Sequence, residues 1–587
     1  MRISIGWLLF LAATAAAQNA SAQTIYPVDR AEILTGAKFD LKVEFPGKPA
    51  STAVTINGQD AAAFFGKPAN VIEGEDGNPL SAYWLRDVSV PKAGDYVIEA
   101  VSSDGKSKVG WQVFDAPVRK AKNVILFIGD GMSVAHRTAA RVLSKGLAEG
   151  RYGGELAIDD MPHMALVSTS GTDSIVTDSA NSMSAYTTGH KSCVNALGVY
   201  CASNKSSLDH PKVETISELV KRRTSMSVGV VTNTEIEDAT PAGMVAHTRR
   251  RADFNDIVKM FFAVQPDVMM GGGSLNFLAK STPGSKRADE DDYIKKFEGA
   301  GYKFVSTNTE LKSATASGSN ATKLLGLFNT GNIDGALDRF FLKKGTVDKF
   351  PDQPDLTDQV RAALSVLSKN ENGFVLMVES GRIDKYSHSL DWERAVYETI
   401  MLDNAVKLAK DFAGTRDDTL IIVVADHGHP VSIIGTYDDN APGTEPREKL
   451  GVYGEAKFPN YPAANADGYP ETIDVSRRIA FSFGAYPDYC QAFRPYLDGE
   501  NVPAVKGADG KANIANEQYC KVPLAVRREG NLPREVNSGV HAADDVVLTA
   551  MGPGAEQFHG RIDNTRVFRY MAIALGLGQD ASAVAKK

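Results

Sequence analysis

From about residue 122 onward, hydrophobic residues fall into short continuous runs that alternate with longer amphipathic stretches. Such runs predict strands that are buried on both faces, and the stretches between them predict covering helices. The alternation favours an α/β fold with a largely parallel central sheet flanked by helices. The predicted strands are residues 123–128, 227–233, 267–273, 374–380, 418–426 and 545–552, and the clearest predicted helices are 133–147 and 392–413.

Residues 24 to about 118 show a different pattern, in which apolar and polar positions alternate over short stretches separated by Gly, Asp and Pro. This pattern predicts a small all-β domain, an immunoglobulin-like β-sandwich. No cluster of His, Asp or Glu marks it as catalytic, so we expect a packing or docking module. The predicted division is a leader at 1–22, the sandwich at 23–118 and an α/β catalytic domain at 119–587, with an insertion at about 430–540.

The leader has the features of a secretory signal peptide. Met1 and Arg2 give a charged start, a short apolar run follows, and small residues at 20–22 form a cleavage site. An uncleaved anchor is less favoured, because the apolar run is short for a bilayer span. We therefore predict a periplasmic or secreted protein with no transmembrane segment in the mature chain.

Four cysteines suit an exported protein, because disulfides persist in oxidising compartments. Proximity along the chain favours the pairs Cys193–Cys201 and Cys490–Cys520, although four cysteines allow three connectivities. A structural zinc site made of cysteines is disfavoured, since the close C-x-x-C spacing is missing.

The composition narrows the class of partner. The chain of 587 residues is 43% hydrophobic and 23% charged with a formal net charge of −8, which is ordinary for a globular protein of two or more domains. It contains no basic run, so nucleic acid is not expected as a specific partner. An acidic protein that binds phosphate needs local cations or metals at the binding site.

The candidate chemistry follows the predicted strands, because ligands bind beyond the carboxyl ends of strands in an open α/β sheet. Four of the predicted strands are each followed by acids or histidines. Clustered acids repel one another and are costly unless a positive charge holds them, so this edge predicts divalent metals. The residues concerned are Asp130; Asp238 and Thr240; Glu379, Asp384 and His388; and Asp426, His427 and His429.

The types of ligand suggest which metals are bound. Asp384 and His388 with a third histidine would form a site that suits zinc. Asp130, Asp426 and His427 would form a second mixed N/O site, with His429 as the alternative to His427. Asp130, Thr240 and Glu379 offer only oxygens, which suits magnesium, and two metals about 4 Å apart can clamp a phosphoryl group. Permissive oxygen-rich sites leave calcium, cobalt and iron open.

The stretch "TDSANSMSAYTTG" at 177–189 supplies a candidate nucleophile. It predicts a helix that ends at Gly189 and begins at Ser179, where free N–H groups and the helix dipole favour anions. Ser179 is therefore the best-placed serine to attack a phosphate, since a divalent metal can lower the pKa of its hydroxyl. The segment "AHTRRR" supplies arginines that can hold phosphate oxygens in a bidentate fork.

These residues resemble the alkaline phosphatase family in order and spacing over about residues 122–575. The motifs are "GDGM", "TDSANS…TTG", "EDATPAGMVAHTRRR", "ESGRIDKYSH", "ADHGH" and "SGVHAADDVVLTAMGP". The sandwich lies outside the resemblance, and the insertion is poorly covered by it. The resemblance implies a metal-dependent enzyme, of the bacterial type, that hydrolyses phosphate monoesters through a phosphoserine intermediate.

The resemblance also assigns roles to single residues, each with its number in this sequence. Ser179 is similar to the nucleophile and Arg251 to the phosphate-binding arginine. Two Zn²⁺ and one Mg²⁺ are implied, and Asp238 with Lys385 are implied to act on the phosphate through water and charge. A homodimer is compatible with the resemblance. The implied ligands are Asp384, His388 and His541 for the first zinc, Asp130, Asp426 and His427 for the second, and Asp130, Thr240 and Glu379 for magnesium.

Three alternatives differ in the reaction. A phosphodiesterase could use the same fold, because fold does not fix function, although Arg251 favours a dianionic monoester. A sulfatase is disfavoured by the lack of a C-x-P-x-R motif. A secreted binding protein with an inactive phosphatase-like body is opposed by the intact set of ligands.

Overall fold

The computed structural model describes residues 23–457 and 461–578, so the predicted leader lies outside the described residues. A ten-stranded sheet forms the centre of the α/β region. Adjacent strands in this sheet are parallel, except that Val546–Met551 is antiparallel to the strand on each side of it. In spatial order the strands are Lys303–Val305, Leu324–Leu327, Val268–Gly272, Ser227–Glu235, Phe374–Ser380, Asn123–Gly129, Thr419–Val424, Val546–Met551, His163–Ser168 and Gly560–Asp563.

Helices cover this sheet, as the alternating pattern predicts. The longest, Trp392–Ala413, begins at Asp391, whose side chain accepts a hydrogen bond from the backbone N–H of Arg394. The α/β class is confirmed, and the reason is physical: the central strands are apolar along their whole length and need cover on both faces. The other α-helices here are Val134–Lys145, Ser179–Thr188, Ile216–Arg223, Ala239–Ala242, Phe254–Val264, Tyr293–Gly299, Asn308–Ala314, Leu356–Leu367, Arg382–His388 and Thr565–Leu575.

Two facing sheets form the N-terminal region, in agreement with the predicted all-β sandwich. Between them lies a separate apolar core that includes Leu41, Ile98 and Trp111. Two residues from the α/β region, Tyr200 and Val213, complete this core. One sheet contains Thr24–Tyr26, Phe39–Pro46, Leu80–Val88 and Asn70–Glu73; the other contains Ala31–Leu34, Gly105–Phe114, Gly94–Ser102, Thr52–Ile56 and Gln59–Asp60, with the short helix Ala61–Phe65 beside it.

In its described part, the predicted insertion contains small sheets of two or three strands and short 3-10 helices. The disulfide Cys490–Cys520 crosslinks it, and Cys193–Cys201 closes a loop near the serine helix, so both predicted pairings are confirmed. Among the helices formed by the described residues, none combines the length and apolar character that a membrane crossing requires. The strands of the insertion are Val431–Asp438, Leu450–Gly451, Arg477–Phe483, Tyr489–Gln491, Ala504–Lys506, Asn513–Ala515 and Val526–Arg528.

Candidate active site at the carboxyl edge of the sheet

The strand register explains why distant acids meet. Ile128 pairs with Glu379 on one side and with Val424 on the other, in parallel register. The residues that follow these strands therefore leave the sheet side by side. This arrangement puts Asp130, Glu379 and Asp426 at one edge, as the sequence predicts.

The turn after Asn123–Gly129 is fixed by a glycine. Gly131 has a φ of 67°, and a Cβ atom there would lie 2.9 Å from Cδ2 of His429 and 3.0 Å from Cβ of Asp384. Its N–H donates to Oδ1 of Asp426 over 3.1 Å. Only glycine combines this backbone conformation with so close an approach. The turn therefore keeps Asp130 close to Asp426, which follows the neighbouring strand.

The first cluster contains Asp130, Asp426 and His427, whose candidate ligand atoms all lie within 4.8 Å of one another. Nε2 of His427 is 3.2 Å from Oδ1 of Asp130 and 3.4 Å from Oδ2 of Asp426. The hydroxyl of Ser179 is 3.2 Å from the same Nε2. Four groups predicted as nucleophile and metal ligands thus converge on one point.

The second cluster surrounds Asp384. Its Oδ1 is 3.3 Å from Nε2 of His388, 3.5 Å from Nε2 of His541 and 2.7 Å from Nε2 of His429. The predicted trio of Asp384, His388 and His541 is therefore brought together. His541 and His427 also stack, with ring centroids 3.5 Å apart, so the two clusters are adjacent.

A third group of candidate metal ligands offers only oxygen atoms. The carboxylate of Glu379 accepts hydrogen bonds from the hydroxyls of Thr232 and, over 3.0 Å, Thr234. Thr240 lies in the short helix Ala239–Ala242, and its hydroxyl is buried without a hydrogen-bond partner among the described residues. Glu379 and Thr240 belong to the predicted oxygen-only set with Asp130.

Several buried oxygens at this edge have no hydrogen bond, which tests whether metals fit. Oδ1 of Asp130 and Oδ2 of Asp426 are unpartnered within the described part of the chain, like the hydroxyl of Thr240. Burial, then the charges of Asp426, Asp384 and Glu379, raises the pKa of Asp130 well above its usual value. Burial also raises the pKa of Glu379 to about 7. Unpartnered buried carboxylates are unfavourable alone, so the donor set fits divalent cations.

Burial favours the neutral imidazole at His388, His427 and His429, whereas at His541 Asp384 outweighs burial and the net pKa shift is upward. Burial lowers the pKa of His427 to about 4 and that of His429 to about 3. For Asp384, burial raises the pKa, but His388, His429 and His541 outweigh it, so the net pKa is well below the usual value. Neutral imidazoles beside an ionised carboxylate are the protonation states that bind zinc.

The serine helix runs from Ser179 to Thr188 and is capped by the side chain of Asp178 at its start and by Gly189 at its end. The hydroxyl of Ser182 donates to the carbonyl of Asp426 over 2.6 Å, and that of Ser184 donates to the carbonyls of Ala180 and Ala196. Only Ser179 of the three serines therefore faces the clusters. The capping box with Asn181 satisfies the first backbone groups of the helix.

A cationic group adjoins the start of the serine helix. The guanidinium of Arg251 donates to Oδ1 of Asp178 over 2.5 Å and to Oδ1 of Asp238 over 2.8 Å. Lys385 reaches Oδ2 of Asp238 over 2.8 Å. Burial lowers the pKa of Arg251, but the carboxylates of Asp238 and Asp178 outweigh it and the net shift is upward. We call Asp178, Asp238, Arg251 and Lys385 the clamp.

Sequence reasoning gave three site residues too little weight. His429 was an alternative to His427, yet it lies nearer to Asp384 than any other histidine does. Asp178 precedes the helix start in the sequence, and nothing in the sequence pattern marks it as a partner of Arg251. Thr232 was overlooked, although its position two residues before Thr234 in a strand puts both hydroxyls on the face of Glu379.

Comparison with known proteins is consistent over the α/β region. The sequence model of the family described as Alkaline phosphatase matches residues 121–577. The chain is similar to "Alkaline phosphatase" of Gadus morhua, with 31% identity over 78% of this chain and 93% of that protein. It is also similar to "Alkaline phosphatase" of Escherichia coli K12, with 34% identity over 55% of this chain and 74% of that protein.

Solved structures show the same fold. The Thermus thermophilus alkaline phosphatase matches with a TM-score of 0.56 and 24% identity, over 80% of this chain and 96% of that chain. The alkaline phosphatase from the Antarctic bacterium TAB5 matches with a TM-score of 0.53 and 20% identity, over 78% of this chain and 100% of that chain. At these identities the likeness concerns the fold alone.

Proposed function

The chain belongs to the alkaline phosphatase family and is a phosphomonoesterase, and from this premise we propose that it works with two Zn²⁺ and one Mg²⁺ through a phosphoserine at Ser179. The observation that carries the proposal is the 3.2 Å separation between the Ser179 hydroxyl and Nε2 of His427. That nitrogen also faces Asp130 and Asp426, so the nucleophile shares one point with a complete set of metal ligands.

The proposed ligands follow the three groups of donors. Asp384, His388 and His541 would hold the first zinc, and Asp130, Asp426 and His427 the second. Asp130, Thr240 and Glu379 would hold magnesium. When bound, such metals supply Lewis acidity that lowers the pKa of an oxygen nucleophile and stabilises charge on the oxygens of the transferred phosphoryl group.

His429 has a supporting role in this proposal. Its Nε2 is 2.7 Å from Oδ1 of Asp384, while the ring is completely buried. An imidazole that does not bind the metal itself can orient a ligating carboxylate by donating a hydrogen bond to it, and this fixes which carboxylate oxygen is free to bind the metal. We therefore propose that His429 orients Asp384.

The phosphate of the substrate would bind between Ser179 and the clamp. The dipole of the serine helix favours an anion near its start at Ser179, and Arg251 offers a planar pair of donors for two phosphate oxygens. Asp178 and Asp238 fix the guanidinium, and Lys385 adds positive charge through Asp238. This donor set favours a dianionic monoester.

The chemistry proceeds in two displacements. The Ser179 hydroxyl gives up its proton as its oxygen attacks phosphorus, a P–O bond to serine forms, and the P–O bond to the leaving alcohol breaks as that oxygen takes up a proton in exchange. Water then gives up a proton as it attacks the phosphoserine, the P–O bond to Ser179 breaks as the serine oxygen takes a proton back, and inorganic phosphate leaves. Arg251 holds two phosphate oxygens in both steps, so charge on phosphorus-bound oxygen is balanced throughout.

We also propose that the protein acts in the periplasm or outside the cell. The charged start, the apolar run and the small residues at 20–22 support export. The two disulfides support an oxidising compartment.

The test is Ser179→Ala, assayed with p-nitrophenyl phosphate in the presence of zinc and magnesium. We expect kcat to fall by at least about 1,000-fold, because the covalent route is lost. Mass spectrometry of acid-quenched wild-type enzyme should find a phosphoryl group on Ser179. The matched control is Ser182→Ala, which removes one hydroxyl from the same helix and should lose far less activity. Turnover by Ser179→Ala near the wild-type rate would refute the assignment.

A further inference from the structure

The loop closed by the Cys193–Cys201 disulfide lies between the start of the serine helix and the segment that carries Arg251. We call residues 193–201 the disulfide loop. We propose that this loop positions Arg251 for phosphate, and that Asn195 is the positioning residue through which it acts. The inference rests on the proposed role of Arg251 as a phosphate ligand.

Asn195 joins the two ends of the main ion pair of the clamp. Its backbone N–H donates to Oδ2 of Asp178 over 3.2 Å, and its carbonyl accepts from the backbone N–H of Arg251 over 2.8 Å. The guanidinium of Arg251 reaches the other oxygen of Asp178 over 2.5 Å. Asp178 and Arg251 are thus fixed to each other through side chains and to a common residue through backbone groups.

The backbone of Asn195 is in the left-handed region, with a φ of 70°. Asparagine tolerates this conformation better than most residues with a Cβ atom, whereas alanine is strained there. Its side chain is exposed. The conformation is therefore what presents the N–H to Asp178 and the carbonyl to Arg251.

The rest of the loop is fastened to the segment before Arg251. Leu197 and Thr248 exchange two backbone hydrogen bonds of 2.8 and 2.9 Å. The carbonyl of Gly198 is 2.9 Å from Nδ1 of the buried His247. A Cβ atom on Gly198 would lie 2.3 Å from the carbonyl oxygen of Ala246, so the two backbones approach as closely as glycine permits.

The opposite side of the loop is fastened to the serine helix. The hydroxyl of Ser184 donates to the carbonyl of Ala196 over 3.1 Å and accepts from the N–H of Gly198 over 3.0 Å. The loop therefore ties the helix that carries Ser179 to the segment that carries Arg251. A change in its shape should alter the distance between nucleophile and guanidinium.

The disulfide adds a covalent constraint to a loop that is already anchored by apolar packing. Leu197 packs into the core of the α/β region, Tyr200 packs into the core of the sandwich, and Cys193, Ala196 and Val199 form a small cluster with Cys201 beside it. The crosslink further limits the conformations open to the segment between these anchors, which includes Asn195. The N-terminal sandwich adds one further contact, from the hydroxyl of Tyr26 to the carbonyl of Cys201 over 2.9 Å.

The first experiment uses Asn195→Ala and Asn195→Gly in the metal-loaded full chain. For Asn195→Ala we expect the Ki of inorganic phosphate and the KM of p-nitrophenyl phosphate to rise by about 5- to 30-fold, in line with the backbone strain. We expect kcat to change less. Glycine adopts a positive φ freely, so Asn195→Gly should restore both constants to within about twofold. Unchanged constants in Asn195→Ala, or equal impairment in both variants, would overturn the proposal.

The second experiment is a double-mutant cycle. The Cys193→Ser/Cys201→Ser variant should raise the Ki of phosphate in the wild-type background and have little further effect when Arg251→Ala is present, because residues that act through one another are not additive. Cys490→Ser/Cys520→Ser removes the disulfide of the insertion and is the matched control, with Ki expected to stay within about twofold.

The outcomes separate this inference from the proposed function. If Arg251→Ala leaves the Ki of phosphate unchanged, the proposed role of Arg251 fails and the inference fails with it. If Arg251→Ala raises the Ki while the loop variants do not, only the inference is overturned. If the serine variant of the first disulfide does not fold, the comparison of Asn195→Ala with Asn195→Gly still decides the question.

Discussion

The metal-ligand clusters and the clamp both adjoin Ser179, the clusters through His427 and the clamp through Asp178, and both are rich in aspartate. In the clusters, Asp130 and Asp426 carry buried oxygens without hydrogen bonds in the described chain, and burial raises the pKa of Asp130. In the clamp, Asp178 and Asp238 each accept from Arg251. For Asp238 burial raises the pKa, but Lys385 and Arg251 outweigh it and the net shift is downward.

The difference teaches how one protein can prepare two kinds of charged site. The clamp is neutralised by its own lysine and arginine, so it is complete without any added ion. The clusters have too few positive groups of their own, so their acids are satisfied only when cations bind. Ser179 lies at the boundary, where a metal-dependent activating site meets a preformed anion site.

Removing one acid from the clusters should give the largest effect. Asp426→Asn changes an unpartnered ligand oxygen, and we expect kcat/KM to fall by at least about 1,000-fold, because metal activation is worth several kcal/mol. The bound zinc content, measured by inductively coupled plasma mass spectrometry, should fall as well.

The matched control for that experiment is Asp403→Asn. Asp403 is also buried, but it accepts from the backbone N–H of Ile158 over 2.9 Å and lies outside the clusters. We expect it to keep its zinc and most of its activity, while its melting temperature falls. Full activity and metal content in Asp426→Asn would contradict the division between the two regions.

Removing the arginine of the clamp should have an intermediate effect. Arg251→Ala deletes both charge-assisted hydrogen bonds that we assign to phosphate, so kcat/KM should fall by about 100-fold, at about 1.5 kcal/mol for each bond. Zinc content should stay at the wild-type level, because the metal ligands lie elsewhere. Steady-state kinetics and metal analysis on the same preparation measure both quantities.

The neighbouring Arg250 provides the control. It is exposed and paired with Asp253 over 2.8 Å, so Arg250→Ala should leave both kcat/KM and zinc content close to those of the wild type. A loss of zinc in Arg251→Ala would show that the clamp and the clusters are not independent.

The smallest effect is expected from removing the lysine of the clamp. Lys385→Gln removes the cation that pairs with Asp238. We expect the Ki of phosphate to rise by about 3- to 10-fold, which is the size of effect expected when one partly buried charge contact is lost. Asp238→Asn in the same background should add little, because the two side chains act as a pair. Ki values for the two single variants and the double variant measure the coupling; strict additivity would mean that the pair does not act as a unit.

Much of this organisation could be predicted from the sequence. The continuous apolar runs predicted the central strands, because strands covered on both faces must be apolar along their length. The helix start at Ser179 followed from its position after Asp178 and before a terminating glycine. The acids and histidines after successive strands predicted one common edge, since parallel strands end on the same side of a sheet.

Other features are decided by contacts between segments that are far apart in the chain. Tyr200 and Val213 contribute to the core of the N-terminal sandwich, although they belong to the α/β region. His429 contacts Asp384 across two strand ends, while in the sequence it is only the second histidine after Asp426.

The order and spacing of residues along the chain therefore determined which side chains follow the strands at the catalytic edge of the sheet. It could not determine their distances, because the separation between side chains from different strands depends on register, on turn conformation and on rotamers. The link from Asp178 through Asn195 to Arg251 is made by backbone groups. Backbone groups are the same at every residue, so only the tertiary structure reveals which of them meet.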